Sequence, residues 1–122
     1  MPALNFQRRF APKVESGEKR QTIRLPRKRP FACDDRLYLY TGMRTRSCRK
    51  LGESICTGAL GIIITAYSVD IEFTGCPPNL DAFAQADGFD DFCDFRDWFN
   101  ANHGLPFRGD IIWWGDLERG AL

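Results

Sequence analysis

Ser16-Gly17-Glu18-Lys19-Arg20-Gln21-Thr22-Ile23-Arg24 is the stretch around which the rest of the chain can be organised. Gly17 reads as the stop of a short helix. Arg20 to Arg24 then reads as a strand, with Thr22 and Arg24 on one face and Ile23 turned into the core. Lys19 stands three residues before Thr22, and Arg24 two residues after it. A lysine beside a hydroxyl can bind an anion, or take the hydroxyl's proton if its own pKa is lowered. The local sequence leaves both open.

Upstream, Ala3 to Phe6 alternates Leu4 and Phe6 and predicts a strand. Arg8 to Ser16 predicts a helix, with Phe10 and Val14 four apart on one face. Downstream, Pro26 and Pro30 bracket Arg27, Lys28 and Arg29 in a stiff loop. Such a loop either keeps the surface solvated or contacts phosphates, which needs no base readout. Cys33-Asp34-Asp35 reads as a turn before a strand from Arg36 to Thr41. There Leu37 and Leu39 face one way, Tyr38 and Tyr40 the other. Tyr40 can stack on a base or pack against a helix. A second basic loop, Met43 to Lys50, carries Arg44, Arg46, Arg49 and Lys50, and is expected to be exposed and mobile.

Glu53 to Gly58, Ala59 to Thr65 and Tyr67 to Phe73 read as further strands, with Gly58 and Gly61 marking a bulge or bend. Asn79 caps a short helix, Leu80 to Ala86, and Asp90 or Asp91 caps a second one running to about Asn102. Phe92, Phe95, Trp98 and Phe99 make the apolar stripe of that second helix. Arg108 to Leu117 closes the fold as a strand, and the tail after Glu118 is expected to fray. The class is α+β: a small mixed or antiparallel β-barrel flanked by a short N-terminal helix and a late helical pair.

A chain of 122 residues predicts one domain, 1–122, large enough for its own core. No apolar run approaches the roughly 20 residues of a membrane span, so no membrane partner is expected. No apolar segment precedes the first arginines, so no secretory signal is read. The five cysteines include no CxxC pair, which suggests reduced thiols and a cytoplasmic protein. No metal site and no cofactor are expected. Asp90, Asp91 and Asp94 sit where a helix N-terminus favours carboxylates. The formal charge of +1 hides an asymmetry: residues 1–50 carry 14 Lys and Arg against 4 Asp and Glu, residues 51–122 carry 3 against 12. That split suggests a polyanion-facing side, or two halves that neutralise each other.

The helix around Phe10-Ala11 to Val14, Ser16-Gly17-Glu18-Lys19, Gln21-Thr22-Ile23-Arg24, Asp34-Asp35-Arg36-Leu37, Ala86-Asp87-Gly88-Phe89 and Gly109-Asp110-Ile111-Ile112-Trp113 together resemble an ASCH domain of the PUA-like superfamily, of the small bacterial or phage type. The resemblance spans nearly the whole chain and is most specific in residues 16–24. It implies a β-barrel with a cleft between barrel and helices, and a ligand that is RNA or derived from nucleotides. Some small members are amidohydrolases that remove the acetyl group of N4-acetylcytidine with a lysine, a threonine three residues on, and a glutamate from the late helical turn. Lys19 and Thr22 match in type and spacing. Asp87 stands about where the glutamate is expected, one methylene shorter.

The leading expectation is RNA, single-stranded nucleic acid or nucleotide binding through that cleft. Arg24, Arg27, Lys28, Arg29, Tyr40, Arg44, Arg46, Arg49 and Lys50 would contact the ligand. An alternative is an amidohydrolase with Lys19 as base, Thr22 as nucleophile and Asp87 orienting the lysine. A metal-independent ribonuclease is a further alternative. Whether the chain is an enzyme, and its oligomeric state, are left open by the sequence.

Overall fold

The computed structural model describes residues 3–118. Its strands are β1 (Ala3–Phe6), β2 (Gln21–Arg24), β3 (Arg36–Thr41), β4 (Arg49–Ile64), β5 (Val69–Ile71) and β6 (Phe107–Trp114). Its helices are α1 (Ala11–Ser16), α2 (Leu80–Ala86) and α3 (Phe92–Asn102). The early helix and late helical pair of the α+β expectation are present. The expected fraying after Glu118 falls on residues outside the described range.

The closed β-barrel is not formed. The strand order is β1-β3-β4-β6-β2, with β5 pairing β4 off that path. Thus β1 and β2 are the terminal strands and share no backbone ladder. Closure requires every strand to hold a neighbour on both edges at one consistent stagger. Here β2 is only four residues long and runs out into the Leu25–Pro26 corner. The Arg24 side chain, not a strand, reaches across to β1: its Nη2 donates to the Asn5 carbonyl at 2.8 Å. The sheet therefore keeps an opening between two free edges.

One long strand dominates the sheet. The two strands expected over residues 53–65 are a single 16-residue strand, β4, which also takes in Arg49 and Lys50. It pairs antiparallel with β3 in its first half and with β6 in its second. The register shifts between Cys56 and Gly58, so the glycine marks a bulge rather than a break. Residues 42–48 are consequently a hairpin turn. It is exposed, as expected, but tied down: Thr45 and Cys48 N–H donate to Gly42 and Thr45 carbonyls, and Met43 N–H donates to Asn5 Oδ1 at 3.0 Å. Parallel pairing of β1 with β3 requires the crossover that α1 and β2 provide.

Smaller differences have local causes. α1 begins at Ala11 rather than Arg8, because Pro12 fits only its first turn. β5 ends at Ile71; Phe73 takes φ +69° and is 90% exposed, which breaks the expected alternation. Asp91 is the cap of α3, its Oδ1 accepting the Asp94 N–H at 2.8 Å, and Asp94 accepts the Asp90 N–H at 2.9 Å. Asp94 also pairs with Arg9.

The core lies between the sheet and α3. Leu37, Leu39, Ile64, Ile111 and Ile112 of the sheet and Phe95 and Phe99 of α3 belong to one core cluster, all nearly fully buried. Removing this apolar surface from water is the main stabilising term. Asp81 of α2 adds a direct tie, accepting the Phe92 N–H of α3 at 2.9 Å.

Candidate functional site: a cleft between two free strand edges

Gly17 ends α1 with φ +87°, and the Lys19 N–H then returns to the Lys13 carbonyl at 3.0 Å. The fold sends the next side chain inward. Lys19 is 3% exposed, although an amphipathic lysine normally keeps its ammonium in water. Its Nζ donates to the Asp87 carbonyl and lies 3.3 Å from Asp87 Oδ1. Asp87 is the C-terminal cap of α2 and is equally buried. Gln21, also buried, donates from Nε2 to the same Oδ1 at 3.3 Å. Gly88 makes room for this knot. It has φ +98°, and a Cβ there would stand 2.9 Å from the Phe10 ring and 3.1 Å from Lys19 Cδ.

Thr22 and Arg24 share the cleft-facing side of β2, as the alternation predicts. Arg24 Nε donates to Thr22 Oγ1 at 3.0 Å. The guanidinium lies 4.9 Å from the centre of the Phe6 ring, and Lys19 Nζ lies 5.8 Å from the same ring. Two cations thus meet one aromatic face, with Asp87 behind them.

Burial is the largest influence on Lys19 and lowers its pKa; Arg24 and Lys13 act in the same direction, against the charge and hydrogen bond of Asp87. Burial raises the Asp87 pKa, opposed by Lys19, Gln21 and Arg24. Burial also brings Arg24 down to about 10, with Asp87 opposing, so it stays a cation at neutral pH. Desolvation moves both partners of the pair toward their neutral forms.

These groups line one cleft of about 340 Å³ at the β1–β2 opening. Asn5, Phe6 and Gln7 form one rim, and Thr22, Arg24 and Leu25 the other. Phe10, Phe89 and Trp98 form an aromatic wall, with ring centres 5.0 to 6.2 Å apart. The polar floor holds Lys19 and Asp87.

A crystal structure matches this arrangement of elements. It is of a mutant ZmASCH protein from Zymomonas mobilis, with a TM-score of 0.54 and 13% sequence identity over 95% of this chain and 69% of that one. The chain has the fold of an ASCH protein. No protein-family model and no curated protein matches its sequence. At that identity the ASCH likeness is one of fold.

Within this ASCH-like fold, Lys19, Thr22, Asp87 and Arg24 come together in the cleft. Tyr40 does not line it; it lies half-buried on β3, in register with Asn5 and Lys50. Arg27, Lys28 and Arg29 are exposed just beyond Leu25, with Arg27 over the Phe31 ring at 4.1 Å. Arg44 and Arg46 are exposed on the hairpin turn. Arg49 and Lys50 are already partnered, by Glu15 at 2.6 Å and by Glu53. Asn5, Phe89 and His103 of the cleft lining were not among the expected site residues, and neither was Gln21, which does not line the cleft but holds Asp87; His103 is exposed.

Proposed function

We propose that the cleft binds a single nucleobase of a nucleotide or RNA, with the exposed cations beside it holding phosphate. The observation that carries this reading is the cleft's composition: an aromatic wall faces the buried Thr22 hydroxyl, the basic groups of Lys19 and Arg24, and the exposed amides of Asn5 and Gln7 at the rim. Aromatic rings accept a base by stacking, and fixed polar groups select its edge. The volume of about 340 Å³ lies at the small end of the ~300–1,000 Å³ typical of ligand pockets, which suits one base and excludes a duplex. Both basic segments start at the cleft rim: residues 27–29 follow Leu25, and the hairpin turn is tied to Asn5.

The fold shared with an ASCH protein supports the same reading, since ASCH-type domains are expected to bind RNA or nucleotides. The test is binding of mixed-sequence single-stranded RNA, followed by tryptophan fluorescence through Trp98. We expect affinity to fall with salt, and Thr22→Val to weaken binding about tenfold, the value of one hydrogen bond to a buried group. Salt-independent binding untouched by Thr22→Val would contradict the reading.

A second reading is favoured by one observation: the lowered lysine shares its cleft with a threonine. Neutral Lys19 would take the Thr22 proton as Oγ1 attacks an amide carbonyl. The protonated lysine would then return the proton to the departing amine, and water would release the acid from the threonine ester. Arg24 would steady the oxyanion. In the structure Lys19 Nζ is held by Asp87, and Thr22 Oγ1 accepts from Arg24. The lysine must therefore swing toward Thr22 when substrate binds, which is why binding leads. Acetate released from N4-acetylcytidine, and lost in Thr22→Val, would place this reading first.

A further inference from the structure

A groove of about 700 Å³ adjoins the cleft and shares Asn5, Phe6 and Gln7 with it. One wall is Arg8, Ala11 and Pro12; the other is the β3–β4 hairpin turn, through Thr45 and Ser47. The turn is built to keep its shape. Gly42 has φ +64°, and a Cβ there would meet the Ser47 carbonyl oxygen at 2.8 Å. Thr41 Oγ1 donates to the Phe6 carbonyl at 2.7 Å and locks the turn's base to β1. Groove and cleft are therefore held at a fixed distance on the two sides of one short strand end.

The arginines in the groove lining, Arg8 and Arg49, and those next to lining residues in the chain, Arg9, Arg44 and Arg46, divide into two kinds. Arg9 is occupied by Asp94 and Arg49 by Glu15. Arg8, Arg44 and Arg46 are exposed and make no ion pair among the described residues. One unpaired arginine in the lining, Arg8, and two more on the turn that contributes Thr45 and Ser47, with no carboxylate among the lining residues, make a seat for phosphodiester groups.

Resting on the base-binding reading above, we propose that this groove seats the phosphodiester backbone flanking the bound base, so that the ligand is a single-stranded oligonucleotide and not a free nucleoside. A base in the cleft has left any stack or pair, which requires single-stranded substrate or a flipped base. Its neighbouring phosphates then pass over Asn5 and Gln7 into the groove. A free nucleoside has no phosphate and leaves these arginines without a role.

The test compares two proteins against two probes. The proteins are Arg8→Ser/Arg44→Ser/Arg46→Ser and Thr22→Val, with folding checked by circular dichroism. The probes are a mixed-sequence single-stranded RNA decamer and the four ribonucleosides. The arginine variant should flatten the decamer's log–log salt dependence by about 2, at ~0.7 per phosphate contact, and bind nucleosides as the parent does. Thr22→Val should weaken both probes. A decamer slope unchanged in the arginine variant while Thr22→Val still weakens binding would overturn the groove proposal alone. A decamer indifferent to Thr22→Val would overturn the base-binding reading, and the joined path with it.

Discussion

Replacing Lys19 with methionine should cost about 3–5 kcal/mol of folding stability, the usual penalty for leaving one partner of a buried ion pair alone. For a domain of this size that is roughly a 10–20 °C fall in melting temperature. The cause is Asp87, 3% exposed and left with Gln21 and the more distant Arg24 as its only compensation. The double variant Lys19→Met/Asp87→Leu should regain most of the loss, because well-packed apolar groups replace a buried pair at little or no cost. The loss in the single variant should also depend on pH. Burial holds the folded Asp87 pKa above its unfolded value, so folding favours the protonated acid. Stability is then retained in acid and lost as pH rises through the folded value. Melting curves of Lys19→Met at pH 5 and pH 8 should show the larger deficit at pH 8. A single variant as stable as the parent at both pH values would mean that the pair is solvated.

Gly109→Ala should be the most damaging methyl group that can be added to the sheet. A Cβ at Gly109 would stand 2.3 Å from the Arg24 carbonyl oxygen and 2.7 Å from the Phe107 ring. Neither neighbour is a flexible side-chain end. β2 must move away from β6, and the move carries Thr22 and Arg24 out of the cleft. We expect about 3 kcal/mol of destabilisation, the upper part of the range for overpacking, and loss of ligand binding at temperatures where the protein is still folded. Gly61→Ala is the matched control. Its nearest non-neighbour atom is Glu72 Oε1 at 3.7 Å, and its φ is not positive. That substitution should leave stability unchanged or raise it by ~0.4–1 kcal/mol through the unfolded chain. Chemical denaturation of both variants checks the pair, and equal effects would show that the β2–β6 approach is not limiting.

The parts of the fold legible in the sequence were those fixed by near neighbours. The Gly17 stop, the shared face of Thr22 and Arg24, the Asn79 cap and the phenylalanine stripe of α3 each follow from residues within one or two turns. Barrel closure did not follow, because it depends on whether β1 and β2 meet across the whole fold. The Arg24–Asn5 bridge that replaces their pairing has no local signature. The run over β4 was misread for a related reason: glycines that usually end a strand are absorbed there by a bulge. In the site, Lys19, Thr22 and Arg24 stood out by spacing, and Asp87 through the ASCH resemblance. Gln21 did not, because its task is set by an aspartate 66 positions away. Arg49 and Lys50 looked like free phosphate ligands; Glu15, the partner of Arg49, becomes its neighbour only after folding, whereas Glu53, the partner of Lys50, lies three residues on and was overlooked. The pairing leaves Arg8, Arg44 and Arg46 as the arginines open to a ligand beside the groove.

The central claim is that the opening between the β1 and β2 edges receives a nucleobase, and amide NMR reads it most directly. Titration of ¹⁵N-labelled protein with a mixed-sequence single-stranded RNA decamer should move the Asn5, Thr22, Arg24 and Gly88 amides first, with the hairpin turn following as phosphate engages. Shifts confined to the exposed basic segments, with those four amides unmoved at saturation, would contradict it.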